Sequence, residues 1–213
     1  MAEHAEEDFE ALLNEYLPTE HDLTDKAEGV KGPVQFKSSD IRARADTFET
    51  FFRRVTSQDP EYMEGALEWL SDKQPNRMYS LLRVAVGILD RTSYSMDCLK
   101  IIAGNNRISE DHKFSLATFL GMALVDEGAR ERASAVLDEL PVDIAAKALR
   151  VQVGYEDPYA QAAQDYLRKL SPADTRRYLT SSLKFELSTT GSSKVSIMNE
   201  DIIPVIAENM KIG

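Results

Sequence analysis

Gln74-Pro75-Asn76-Arg77-Met78-Tyr79-Ser80-Leu81-Leu82-Arg83-Val84-Ala85-Val86-Gly87-Ile88-Leu89 decides the fold. Its apolar residues Met78, Leu81, Leu82, Ala85, Val86 and Leu89 recur at helical spacing, and Asn76 after the Gln74-Pro75 break can cap the first turn. Apolar residues occupy most of the circumference of such a helix. It has to be surrounded by other elements, so it is expected at the centre of the core.

The flanking sequence supplies those elements. Asp59-Pro60 opens a helix by the cap-then-proline order, with Met63, Ala66, Leu67 and Leu70 on one face. Before it, Ser39 or Asp40 can cap a helix presenting Ile41, Ala45, Phe48, Phe52 and Val55. After it, Ser93 or Ser95 starts a helix with Met96, Leu99, Ile102 and Ala103, stopped by Gly104-Asn105-Asn106. Ser109-Glu110-Asp111 joins a cap to two first-turn acids, which the helix dipole favours, ahead of Phe114, Ala117, Leu120, Met122 and Leu124. That helix is expected to stop near Gly128. Shorter helices follow over residues 129–140, 142–153 and 158–170, and Ser171-Pro172-Ala173-Asp174 begins one with Tyr178, Leu179 and Leu183.

Short helices joined by short turns pack most simply as antiparallel neighbours, so residues 39–183 are expected to form an all-α body. Its architecture is an irregular helical bundle or short α-helical array, with tetratricopeptide- or HEAT-like packing but no fixed repeat. Residues 129–170 resemble tetratricopeptide-type helical pairs in their small alanines, Ala133, Ala145, Ala148, Ala160 and Ala163. The aromatics and glycines of that family are not in register, so no family is assigned.

The two ends differ from the body. In residues 184–213, Lys184-Phe185-Glu186-Leu187 and Lys194-Val195-Ser196-Ile197 alternate around Thr190-Gly191-Ser192-Ser193, which predicts a small β-hairpin. Asn199 then caps a last helix through Ile202, Ile203, Ile206 and Met210, and both elements are expected to pack on the body. Residues 1–38 hold ten acids and three lysines, hence most of the net charge of −11. Within them residues 5–17 place Phe9, Leu12, Leu13, Tyr16 and Leu17 on one helical face, and Pro18 ends the helix. Residues 18–38 have linker composition. Two readings follow: a first helix packed on its own body, or a partner-binding helix on a mobile acidic arm. The second predicts that removing residues 1–38 leaves the melting transition nearly unchanged.

Little in the chain points to catalysis. The histidines are His4, His21 and His112, and Cys98 is the only cysteine; none stand at zinc spacing, and no carboxylate loop suits calcium. Cys98 reads as a small buried hydrophobe and His112 as a solvent-facing first-turn residue. No glycine loop of phosphate-binding form is present. The expectation is a non-catalytic protein with no cofactor or metal. Arg42, Arg53 and Arg54 can share a modest basic face, either ion-paired with neighbours such as Glu49 or receiving the acidic arm of this or another copy. The acidic balance disfavours nucleic acid. Trp69, Tyr62, Tyr79, Tyr94, Tyr155 and Tyr159 are residue types that anchor interfaces or lie at the edge of a core.

A lone thiol, an acidic start without the flank and apolar run of a signal peptide, and no membrane-spanning run together predict a cytoplasmic protein. The function expected is protein binding: an adaptor or regulatory subunit of a cytoplasmic assembly, whose partner offers a basic or apolar groove to the arm. Alternatives are a self-assembling coat or matrix protein of viral or phage type, in which copies exchange the arm and the C-terminal hairpin, and, by architecture alone, a bacterial secretion gatekeeper-type regulator.

Overall fold

The computed structural model describes residues 3–17, 38–153 and 155–177, with side chains for residues 8–17, 39–153 and 155–177. Ten helices are delimited there: α1 (Glu3–Tyr16), α2 (Ser38–Ala43), α3 (Ala45–Thr56), α4 (Pro60–Lys73), α5 (Pro75–Gly87), α6 (Ser93–Gly104), α7 (Glu110–Ala123), α8 (Arg130–Leu137), α9 (Val142–Val153) and α10 (Tyr159–Leu167). Residues 172–177 are helical as well. Among the described residues every regular element is a helix, irregularly packed, as the periodicity predicts. The predicted hairpin and last helix of residues 184–213 and the linker of residues 18–37 lie outside the described residues.

Several helix starts follow the sequence signals. The Asp59 side chain accepts from Glu61 N at 2.9 Å ahead of Pro60, and Ser109 Oγ accepts from His112 N at 3.3 Å with Glu110 and Asp111 in the first turn. Ser171 Oγ likewise accepts from Asp174 N at 3.1 Å. Three starts differ from expectation. Thr92, not Ser93 or Ser95, caps α6 by accepting from Tyr94 N at 3.2 Å. Helix α5 begins at Pro75, one residue before Asn76, because proline suits a first position whose N–H would be unpaired. The helix expected from Ser39 onward breaks at Arg44 into α2 and α3, with Ile41, Ala45, Phe48, Phe52 and Val55 all buried across the break.

Helix α5 occupies the centre, as its apolar circumference requires. Met78, Leu81, Leu82, Val84 and Ala85 are fully buried, and α5 packs on α2, α3, α4, α6 and α7. Phe48, Phe51 and Phe52 of α3 are fully buried, with the rings of Phe51 and Phe52 edge to face at 5.1 Å. On the other side α7 packs on α8, α9 and α10. Gly121 of α7 permits the close approach of α9. A Cβ there would stand 2.6 Å from both Gln152 Nε2 and Leu149 Cδ2 of α9. Gln152 is fully buried and donates to Thr118 O at 2.6 Å.

Candidate functional site

Three places merit comparison as sites: the α1 contact, a polar knot at His112, and a groove beside α7.

Helix α1 is docked on its own body. Phe9, Leu13, Tyr16 and Leu17 are buried in the common core, Leu12 packs partly buried against it, and the helix lies on α3 and α4. The Phe9 ring meets Trp69 edge-on at 6.5 Å, and Tyr16 lies 6.1 Å from Phe51. Of the two readings of residues 5–17, the geometry is that of the packed first helix. Its anchors are core residues, so removal of residues 1–38 is expected to lower stability, contrary to the unchanged melting that a free arm predicts.

Polar groups complete this contact. Gln74 Nε2 donates to Glu10 Oε1 at 2.9 Å, and Arg77 Nη2 donates to Asn14 Oδ1 at 2.7 Å. Arg54 bonds Glu15 at 3.4 Å and lies 5.2 Å over the Tyr16 ring. The acidic helix therefore meets basic side chains of its own chain, with Arg54 and Arg53 both within electrostatic reach of Tyr16. Arg42 stands 4.0 Å from Asp126 beside α7, and Arg53 is exposed on α3.

His112 corrects a sequence expectation: it is 3% exposed rather than solvent-facing. Its Nδ1 lies 2.8 Å from both Ser71 Oγ and Ser109 Oγ, and its Nε2 lies 3.3 Å from Pro75 O. A carbonyl only accepts, so the network assigns the ring proton to Nε2 and leaves Nδ1 to receive a hydroxyl. The Tyr79 ring closes over it at 4.9 Å. This places two serines beside a histidine, Ser71 buried and Ser109, at the cap of α7, exposed. The network ties the end of α4, the start of α5 and the cap of α7.

Burial holds the His112 pKa below its ordinary 6.5, outweighing the carbonyl bond and Asp111, which raise it. The unfolded chain thus binds the proton more readily. The stability this gives is complete above about pH 6.5 and is lost as pH falls from there toward the folded value. Thermal melting from pH 7.5 down to 5.5 should show a fall in Tm that His112→Asn makes shallower, since the amide oxygen can still accept at the Nδ1 position but does not titrate.

The third place is an open groove between α2, α5, α7 and the first residue of α10, with a volume of about 330 Å³. Ile41, Val86, Phe119, Met122 and Ala123 form its apolar wall, and Tyr159 stands at one end. Gly87 sets the spacing of α2 and α5, since a Cβ there would lie 2.8 Å from Ile41 Cγ2. The rim is charged: Arg42 and Asp126 face each other, Asp90 is exposed, and the Arg83 guanidinium lies 5.5 Å over the Phe119 ring. Met122 is 41% exposed and Tyr159 37%, and Tyr155 and Val151 are exposed as well.

Met122 therefore lies off the buried face of its helix. Of the aromatics singled out, Trp69, Tyr62, Tyr79 and Tyr94 are half-buried, while Tyr155 and Tyr159 are exposed. Cys98 is fully buried, and burial pushes its thiol up to about 12, out of the range of a reactive thiolate. Among the described residues no group of histidine, cysteine or carboxylate side chains is placed to hold a metal ion, and no helix is long and apolar enough to cross a membrane. No protein family, characterised protein or solved structure matches the chain.

Proposed function

We propose that this chain is a non-catalytic protein-interaction module, an adaptor or regulatory subunit of an assembly, and that the groove beside α7 receives its partner. The observation that supports this reading is the pairing of exposed Met122 and Tyr159 with an apolar wall and a rim carrying both charge signs. Interfaces are built this way: an aromatic or methionine anchor sits at the centre and polar groups surround it. The volume lies at the lower end for small-molecule sites, and the charged rim suits a partner's side chains better than an enclosed ligand.

The double substitution Met122→Asp and Tyr159→Asp tests it. Both side chains are exposed, so the Tm is expected to stay within a few degrees of the unaltered value, while partner capture from the native cell falls at least tenfold. Equal capture by both chains would remove the groove from consideration.

A further inference from the structure

We propose that the surface of α3, α4 and α5 that holds α1 is itself a receptor for an acidic amphipathic helix, with α1 as its occupant in cis and a partner's helix of the same pattern able to replace it. This surface is separate from the groove beside α7.

Three observations carry the proposal. First, α1 is held as helical peptides are held in grooves. Phe9, Leu13, Tyr16 and Leu17 follow an i, i+4, i+7, i+8 pattern and are buried, while Asp8, Ala11, Asn14 and Glu15 between them are exposed. Second, the receiving surface reads the polar side chains of the helix as well as its apolar stripe. Gln74 takes Glu10, Arg54 takes Glu15, and Arg77 takes Asn14 and reaches the Leu17 carbonyl at 3.4 Å, satisfying an acceptor that the helix end leaves open. One ion pair crosses the contact, Arg54 with Glu15, and Glu10 acts electrostatically on Arg77. Third, α1 lies on α3 and α4 at the edge of the bundle, while α5, α6, α7, α8 and α9 pack upon one another.

Twenty residues separate Leu17 from Ser38. A connection of that kind gives α1 an effective concentration of about 1 mM at its own site. A competing helix of equal intrinsic affinity, with Kd about 1 µM, therefore binds the unaltered chain about a thousandfold more weakly than a chain whose α1 is disabled.

The probe is a fluorescein-labelled synthetic peptide of residues 3–17, followed by anisotropy. The host is the full chain carrying Leu13→Asp, which places a carboxylate where a buried leucine stood and favours release of α1. The peptide is expected to bind this host at micromolar concentration, the unaltered chain about a thousandfold more weakly, and the host with added Arg77→Ala about tenfold more weakly. Adding Met122→Asp should leave its affinity unchanged, which separates this surface from the groove beside α7. A cooperatively folded Leu13→Asp host that ignores the peptide overturns the proposal, as does equal binding to the unaltered chain.

If Leu13→Asp abolishes folding, a protease site placed within residues 18–37 of the otherwise unaltered chain takes its place. After cleavage the α1 fragment should exchange with labelled peptide, and a fragment that never exchanges overturns the proposal. Light scattering of the unaltered chain should give a monomer; a concentration-dependent dimer would assign the surface to α1 of a second copy and overturn the hetero-partner.

Discussion

Leu13→Asp is expected to lower the urea-unfolding free energy of the full chain by about 4 kcal/mol, and adding Phe9→Asp is expected to lower it little further. Leu13 and Phe9 are fully buried, so each carboxylate would otherwise be taken out of water without a partner. The chain avoids that cost by releasing α1, and after release the second substitution meets solvent in both states. The loss therefore saturates at the docking free energy of the helix, which for a site a thousandfold below the effective concentration is about 4 kcal/mol. The denaturant slope should also fall, since less surface remains to be exposed on unfolding. Two additive losses would mean instead that α1 is inseparable from the core. No loss at all would mean that it is not docked.

Gly121→Ala is expected to cost about 1–3 kcal/mol, although alanine is the better helix former by about 1 kcal/mol. The added methyl meets the Gln152 amide and Leu149 across the α7–α9 contact, and Gln152 is enclosed on all sides. Moving the amide would break its bond to Thr118 O and leave a buried polar group unpaired. Gln152→Ala in the same chain makes room for the methyl, so the double variant should recover part of the loss, with a coupling of about 0.5–3 kcal/mol by a double-mutant cycle. Simple additivity would place the strain elsewhere.

The helices were legible because their signals are local. Asp59-Pro60 and Ser109-Glu110-Asp111 cap where predicted, and the apolar circumference of residues 78–89 marked the central element. The break at Arg44 was not legible: no proline or glycine marks it, and the same apolar face continues through it. His112 was read as exposed from its first-turn position, but its burial depends on Ser71 and Pro75, some forty residues away in sequence and brought together by packing.

The groove beside α7 was the least legible feature. Its wall is assembled from three helices distant in sequence, and no motif announces such a meeting. One signal was nevertheless present. At about 100° per residue, Met122 lies about 200° around the helix from Leu120, opposite the stripe of Leu116, Ala117 and Leu120 that the core buries. For α1 the amphipathic pattern is the same whether the helix docks on its own body or on another protein. The Arg54–Glu15 and Arg77–Asn14 contacts distinguish the two, and they are long-range.

Site-specific photocross-linking in the native cell reads whether the groove beside α7 receives a protein partner. A photoreactive benzoylphenylalanine at the position of Met122 is compared with one at Asp72, an exposed residue of α4 outside the groove. The expected result is a discrete cross-linked protein from position 122 that is absent from position 72 and lost when Tyr159→Asp is added. Identical cross-linking from the two positions, or none from 122, would contradict it.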